Sequence, residues 1–550
     1  MKKGVFAGFF LAALLAAAVL RLTQLGARPM HHDEANQALK LGALLEHGEY
    51  RYDKNDHHGP SLYYLSLPFA LAASGGALAG LSEAELRSVT AAFGIGTVLL
   101  LLLFLPLIGR GPVAASAILL ALSPAMVYFS RFYIQETLLV FFLAGFLAFL
   151  WRYLHRPGWG WAAASGVFAG LMYATKETAA ISFAAAAAAL LLTFFIRRGQ
   201  PDRPESAATG EHPRPDENRG EKSPRDQKKK EALGKSSGLP ARLRWDHLLL
   251  ALAAAAAVSF LLFSSFLKNS NGFKESILSF KVYFIRAGEA GFHVHPWFYY
   301  LQTLFLSRVK SGPLWSEALI LVLALAGCVS AFRARPSSRP SARFGFFLAA
   351  FTILNTAAYS AIPYKTPWNA LPFYLGFILL AGFGLDSALR ACRVPFLRLL
   401  ILLGLGIGLL HLGIQSFRAC FRYPADPRNP HVYAQTSPDF LKLVKRIEEI
   451  ASHQPEGRGL LIKVIAGPYE IWPLPWYLRA FSRVGYWTSA AEVGEIGRPP
   501  ILITSAEEAV RLEDGLNTVY RSEYYELRPG VLLVLHVRDD IWEAAFAPED

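Results

Sequence analysis

The chain has 550 residues, 53% of them hydrophobic, and a mean hydropathy of +0.30, which excludes both an ordinary soluble domain and a disordered chain. The net charge of +13 does not point to nucleic acid, because basic residues at the cytoplasmic ends of membrane spans account for it. Three cysteines, Cys328, Cys392 and Cys420, show neither metal spacing nor a paired framework, which excludes a disulfide scaffold.

The first element, "MKKGVFAGFFLAALLAAAVL", has the basic start and apolar middle of a signal peptide. No clear small-residue cleavage site follows and many further spans do, so it reads as an uncleaved span. Further apolar stretches lie near 88–108, 112–129, 137–153, 159–175, 178–196, 246–266, 314–332, 344–361, 370–386 and 395–415. Together they predict an α-helical polytopic membrane protein of about eleven crossings. When eleven spans alternate, the basic clusters Lys2-Lys3, "WRYLHR", "IRRG", "RARPSSRPSAR" and "LRACR" all fall on one side. That side is the cytoplasm, which places the amino terminus inside and the carboxyl terminus outside a multi-pass cell membrane protein.

The stretch 61–80, "SLYYLSLPFALAASGGALAG", is apolar enough to be a twelfth span. Crossing there would reverse every later loop, and Pro68, the serines and a Gly-Gly pair weaken a spanning helix. It reads instead as interfacial helix, so that 24–87 form one long first external loop. Residues 197–244 carry many prolines and dense mixed charge without an aromatic or β-branched aliphatic residue, the composition of a disordered cytoplasmic loop. The transmembrane domain covers 1–415, and 416–550 read as an extracytoplasmic α/β domain. In the latter, "DFLKLVKRIEEI" has the spacing of an amphipathic helix, "GLLIKVIAG", "PILITS" and "GVLLVLHV" read as buried strands, and "SAEEAVRLEDGL" has a helical pattern. No glycine-rich phosphate loop follows these strands, so no nucleotide is assigned.

The acidic, basic and histidine clusters without a topological reason all fall on the outer side: "MHHDEANQ", "DKNDHHGP", "FSRFYIQE", "ATKET", "GFHVHPWFYY" and "IPYKTPWN". Ionisable groups at span ends are costly unless paired or functional. Transfer of a group from a lipid phosphate to a hydroxyl needs a carboxylate to take the proton, cations to stabilise the departing phosphate, and apolar walls for the lipid. Asp33 and Glu136 meet the first need, Arg131, Lys176 and Lys365 the second, and the spans the third. His31, His32, Asp56, His57, His58, His293 and His295 are candidates for substrate or metal contacts, although their spacing specifies no metal. Bland roles stay open: Asp33 suits a helix cap, Arg131 with Glu136 a structural ion pair, Lys176 with Glu177 a local one, and Lys365 a snorkelling lysine. Trp472, Trp476 and Tyr477 in "EIWPLPWYLRAF" suit either sugar stacking or an interface belt.

The order of a first span, an external "DEA", "HHGPSLYY", "LRSVTAAFGIGTVLLLL" and "SRFYIQET" resembles the membrane glycosyltransferases of the GT-C superfamily, in the branch of the protein O-mannosyltransferases and aminoarabinose transferases. "MHHDEANQA", "HHGP", "TKE", "IPYKTPWN", "NPHVYAQTSPD" and "WPLPWYLR" resemble more closely the flippase-activity-associated membrane protein family. The resemblance implies Asp33 as the base that activates the acceptor, Glu34 as its support, Glu136 as the residue positioning a metal ion or the acceptor, and Lys365 as the donor-phosphate ligand. Arg131, His57 and His58 follow more loosely, and Gly59 stands where the mannosyltransferases have proline. It further implies a polyprenyl-phosphate-linked sugar as donor in the lipid bilayer, an acceptor that is a glycan, lipid or protein, a divalent cation as cofactor, and inversion at the sugar. The alternative is a non-catalytic or flippase-associated protein for lipid-linked sugars, against which the scarcity of charges inside the spans counts. A metal-dependent hydrolase built on the histidine pairs is a third.

Overall fold

The computed structural model describes residues 1–56, 58–198, 244–287, 293–334, 340–494, 496–512 and 519–546. His57, and all but the ends of the stretch 197–244 read as a disordered loop, lie outside them. Each apolar stretch predicted to span is helical: Lys3–Leu22, Glu83–Leu100 continuing to Ile108, Arg110–Leu122, Glu136–His155, Trp159–Tyr173, Ala179–Arg198, Trp245–Phe263, Ala318–Ala334, Pro340–Ala361, Leu371–Ala391 and Pro395–Phe417. Among the described residues, seven helices are long and apolar enough to cross a membrane alone, and an eighth if Arg110–Leu122 and Pro124–Ser130, which meet at 60°, form one broken span. The bend follows from local chemistry. Pro124 opens the second piece, where its missing N–H costs nothing, and the Ser123 hydroxyl accepts from the Met126 N–H at 3.3 Å.

Small residues bring the central helices close. A Cβ on Gly327 would lie 2.0 Å from the Leu380 carbonyl oxygen, and one on Gly384 would lie 1.9 Å from that of Leu323. Backbones of Ala318–Ala334 and Leu371–Ala391 therefore touch as only glycine permits. At the periphery, Pro395–Phe417 shows its leucines outward, with Ile407 71% exposed, as suits a helix solvated by lipid.

The stretch proposed as interfacial is the helix Ser61–Ser74, 14 residues long with Pro68 inside it. At about 1.5 Å per residue it reaches about 21 Å, short of the ~30 Å hydrocarbon core. It packs against the amphipathic helix His32–His47.

The carboxyl-terminal unit is a five-stranded mixed sheet of β1 (Ile462–Ile465), β2 (Val484–Trp487), β3 (Ile501–Ser505), β4 (Tyr520–Arg528) and β5 (Val531–Arg538), in the order β2-β1-β3-β5-β4. β1 runs parallel to β2 and β3, and β5 antiparallel to β3 and β4. The three predicted strands are β1, β3 and β5. The predicted helix Phe440–Ser452 buries Phe440, Leu443, Ile447 and Ile450 on the sheet. This second core begins at Phe440, Ser437 already bonds β4 at Leu527 and Glu526, and residues up to Thr436 bond the bundle face. Gln435 Nε2 donates to the Pro29 carbonyl at 2.9 Å, Thr436 Oγ1 to that of Met30 at 2.7 Å, and Asn429 Nδ2 to that of Ala419 at 3.2 Å.

A second tie is the "WPLPWYLR" segment. Trp476 is fully buried and its indole N–H donates to Glu83 Oε1 at 3.0 Å, while the Tyr477 hydroxyl accepts from the Met30 N–H at 2.9 Å. Arg479 stacks on Trp476 at 3.7 Å and donates to the Leu78 carbonyl at 3.2 Å. Neither expected role holds for Trp476: a fully enclosed indole reaches neither a sugar nor a headgroup, and it docks the two units together.

Candidate functional site

One cavity of about 400 Å³ opens at the end of the bundle where helices begin and stop. Asp33, Glu136, Lys176 and His58 line it, although they come from three separate connections, Asp33 and His58 sharing the first. Gln37, Gln135, Asn369 and Thr366 add polar groups, and Trp368, Tyr300, Tyr359, Tyr364, Phe280 and Ile181 add apolar surface.

Asp33 and Glu34 are neighbours with opposite fates. The helix His32–His47 is capped by His31, whose Nδ1 accepts from the Asp33 N–H at 3.0 Å. The cap role open to Asp33 thus falls to His31, and the Asp33 carboxylate turns to the cavity. Glu34 points the other way and is completely buried. Arg87 holds it with two bonds of 2.7 Å, Nε to Oε1 and Nη2 to Oε2, Arg28 approaches at 3.4 Å, and the Tyr133 and His31 N–H groups donate at 2.9 and 3.1 Å. Burial alone would raise this carboxyl; the guanidiniums of Arg87 and Arg28 reverse that and hold it at about 2. So many donors make Glu34 a poor proton acceptor. It is absent from the cavity wall and positions the loop that carries Asp33.

Glu136 opens the helix Glu136–His155, where a negative charge meets the positive end of the helix dipole. Its Oε1 accepts from Lys176 Nζ, and the same ammonium donates to Asn369 Oδ1 at 3.1 Å. Among the described residues, Glu136 Oε2 is buried without a protein partner, as are Gln135 Oε1 and Thr366 Oγ1 on the same wall. Buried acceptors left this way are costly unless a ligand donates to them.

Lys176 and Glu177 lie in the turn between Trp159–Tyr173 and Ala179–Arg198, and the "HHGP" loop sits directly on that turn. A Cβ on Gly59 would fall 2.2 Å from the Ala174 carbonyl oxygen, and Ser61 N donates to that oxygen at 2.9 Å. Proline, the residue of the mannosyltransferases here, has no room. The docking brings His58 Nδ1 to 2.9 Å from Glu177 Oε2. Burial raises the Glu177 carboxyl, but its hydrogen bond and charge contact with His58 outweigh this and lower it. Glu177 thus pairs with the histidine loop, not with Lys176.

Several expected ligands face elsewhere. Arg131, expected at the donor phosphate, donates to the carbonyls of Leu20, Arg21 and Gln24 at 2.9, 3.2 and 3.1 Å; it caps the end of the first span and is off the cavity wall. Lys365, expected in the same role, is buried with Nζ donating to the His295 carbonyl at 3.1 Å and to that of Ile362. Residues 293–295 and 363–365 pair as a short antiparallel ribbon. Alternation along it turns Tyr364 and Thr366 to the cavity and Lys365 away, and burial lowers the Lys365 ammonium. His293 stacks behind Tyr364 at 4.4 Å and His295 on Tyr299 at 4.2 Å, so both stand behind the wall. His31 is buried, its Nε2 3.0 Å from the Tyr433 carbonyl, and His32 packs on Trp472 at 5.4 Å, where burial lowers it to about 4. Asp56 pairs with Lys40 at 2.7 Å.

Among the described residues, no three His, Cys, Asp or Glu side chains gather as a metal site. The sequence missed Gln37, Gln135 and Asn369. All three stood inside strings already singled out, but neutral amides carry no signal apart from their neighbours. Gln135 Nε2 donates to Gln37 Oε1 at 2.9 Å across the cavity floor.

Comparisons with known proteins follow this geometry. The family model described as dolichyl-phosphate-mannose-protein mannosyltransferase matches residues 66–200. The structure of ArnT from Cupriavidus metallidurans bound to undecaprenyl phosphate aligns over 97% of this chain and 98% of its own, at 14% identity and a TM-score of 0.59. The archaeal oligosaccharyltransferase AglB from Archaeoglobus fulgidus, in complex with an inhibitory peptide and a dolichol-phosphate, aligns over 99% of this chain and 77% of its own, at 13% identity and a TM-score of 0.55. No curated protein sequence matches the chain, and the resemblance to the flippase-associated family gains no support from these matches. In fold, this chain is a GT-C membrane protein, the architecture it shares with the ArnT and AglB structures.

Proposed function

We propose that the chain is an integral membrane glycosyltransferase that moves a sugar from a polyprenyl-phosphate donor to an acceptor hydroxyl at the extracytoplasmic face. The observation that carries this reading is the cavity itself. A carboxylate, Asp33, shares it with an ammonium, Lys176, unpartnered buried acceptors and an aromatic wall. Hydroxyl-rich sugars supply the hydrogen-bond donors that Gln135, Glu136 and Thr366 lack, and their apolar faces suit Trp368 and the tyrosines. The carriers bound by ArnT and AglB, undecaprenyl phosphate and a dolichol-phosphate, support a polyprenyl phosphate as the leaving group.

In this mechanism Asp33 takes the proton of the acceptor hydroxyl as its oxygen attacks the anomeric carbon. The bond from that carbon to the phosphate oxygen breaks, the electron pair leaves with the polyprenyl phosphate, and the sugar is inverted. Lys176 uses two of its three N–H donors on Glu136 and Asn369, which leaves one for the departing phosphate. Asp33→Asn keeps the shape and removes the base. Purified D33N protein should retain polyprenyl phosphate binding and lose transfer by 10²–10⁴-fold, about the worth of a general base. Radiolabelled polyprenyl-phosphate sugars supplied to membranes read this directly. Transfer undiminished in D33N refutes the reading, and sugar crossing the bilayer without transfer supports the flippase-associated alternative.

A further inference from the structure

The helix Pro395–Phe417 ends in a single π-turn, Arg418–Arg422, closed by the Tyr423 N–H donating to the Arg418 carbonyl at 2.8 Å. One side of the helix is fastened to the bundle: Gln415 Nε2 donates to the Leu314 carbonyl at 3.0 Å and Ser416 Oγ to that of Leu122 at 2.7 Å. Beside that seam lies an open trough of about 560 Å³ between the helix and Leu122, the last residue before the 60° break in the neighbouring span. Leu409, Leu410, Ile414 and Phe417 give it apolar walls. Gly413 keeps it open, since a Cβ there would meet only Leu122 Cδ2, at 4.0 Å.

Two arginines, Arg418 and Arg422, complete the lining. Among the described residues neither guanidinium takes part in a hydrogen bond or an ion pair; Arg422 lies over the Tyr423 ring at 5.6 Å. The carboxylate next along the chain, Asp426, is taken by Arg428 at 2.6 Å. Arg21, Arg28, Arg87 and Arg131, by contrast, are all committed to backbone carbonyls or to Glu34. The place of the free pair adds to its weight. Basic residues collect on the cytoplasmic side of spans, and this pair lies at the far end of the helix from the basic cluster "LRACR". A helix carboxyl end favours a cation, but that preference gives no reason for two of them to border an apolar trough.

From Leu409 to Phe417 the trough runs about 12 Å along the helix, close to the ~15 Å of hydrocarbon that one leaflet contributes. That depth suits an acyl chain, and the arginines stand where its headgroup begins. Guanidinium groups hold phosphate in a two-point fork, and basic groups beside spans hold anionic headgroups. We infer that this trough binds an anionic glycerophospholipid of the surrounding bilayer, with its phosphate on Arg418 and Arg422 and one acyl chain along Leu410, Ile414 and Phe417. None of these residues lines the cavity of Asp33. The lipid is therefore a ligand of the last span and not the sugar carrier, and the inference holds whether or not the chain transfers sugar.

The test titrates the purified, delipidated full chain with phosphatidylglycerol and, as a zwitterionic control with the same acyl chains, phosphatidylcholine, and counts bound lipid by native mass spectrometry. Wild type should bind phosphatidylglycerol the more tightly. Arg418→Gln and Arg422→Gln should each weaken phosphatidylglycerol binding about fivefold, and the double variant about thirtyfold, with phosphatidylcholine unchanged. Replacing both arginines by lysine should keep part of the affinity, because the charge survives without the fork. Gly413→Phe fills the trough without touching the charge and should weaken both lipids. The inference is overturned if wild type binds the two lipids equally, if the double Arg→Gln variant keeps the preference, or if G413F binds both lipids as wild type does. It is also overturned if undecaprenyl phosphate displaces phosphatidylglycerol at equal concentration, which would mark a carrier site, or if inorganic phosphate does so, which would mark a bare anion site.

Discussion

Asp33 and Glu34 show how far one residue can be read from sequence. Both belong to a motif that the resemblance treats as a pair, and both sit in the first turn of one helix. Successive residues on a helix point about 100° apart, so they face different partners. Only the fold says which faces the cavity, because Arg87, the main partner of Glu34, lies 53 residues along the chain. Removing one member of a buried ion pair strands the other charge and costs about 3–5 kcal/mol. Glu34→Gln and Arg87→Met should each lower the melting temperature of the purified protein substantially, and the double variant should fall short of their sum. The sign of the pH effect follows from the same contacts. Glu34 is held at about 2 against an ordinary 4.5, so its stabilising charge is fully present above 4.5 and is lost as pH falls toward 2. Wild-type thermal stability should drop across that window, and E34Q should lack this part of the drop. An E34Q melting profile that matches wild type through the window would show that the pair is not the anchor of the loop.

At the scale of elements, apolar runs made every predicted segment legible as helix, since a run of leucine, alanine and phenylalanine in a membrane has one stable conformation. β2 and β4 were not legible. β2 is four half-buried residues, and β4, "YRSEYYELR", alternates burial along an edge of the sheet, so neither forms the continuous apolar run that marks β1, β3 and β5. The ribbon at 363–365 was also invisible, because the partner that turns Lys365 away is 70 residues upstream. The "HHGP" loop is the element on which His58 depends, and Gly59 is its contact point. Gly59→Ala would force a Cβ to 2.2 Å from a backbone oxygen that cannot move aside cheaply, lifting the loop from the 174–177 turn. A displacement of about 1 Å at a reacting site costs about a hundredfold in rate, so G59A should fold, remain in the membrane and lose transfer on that order. Gly404→Ala, where an added Cβ meets nothing within 4 Å, should transfer at the wild-type rate. Full activity in G59A would mean that the seating of this loop does not set the site.

For the whole molecule, the cavity decides a question that hydropathy leaves balanced. Its lining comes from 33–58, 134–136, 176–178, 280–300 and 359–369, which flank or form the connections after the first, third, fifth, seventh and ninth apolar helices. Residues that meet in one cavity outside the bilayer must be separated by even numbers of crossings. If Ser61–Ser74 crossed, Asp33 and Glu136 would lie on opposite faces, and they line the same cavity. The basic clusters fall on the opposite connections, so the positive-inside rule predicts a cavity on the outer side. Eleven crossings, as the sequence predicts, would put residue 223, after the sixth span, in the cytoplasm and residue 452, after the eleventh, outside. Cysteines introduced as Ser223→Cys and Ser452→Cys, in a background with Cys328, Cys392 and Cys420 replaced by serine, test this on intact cells. A membrane-impermeant thiol reagent should label Cys at 452, which occupies an exposed helix end, and should label Cys at 223 only after permeabilisation. Labelling of both from outside would require an even number of crossings between them, which would overturn the eleven-span count while leaving the shared cavity to be explained by some other pairing of helices.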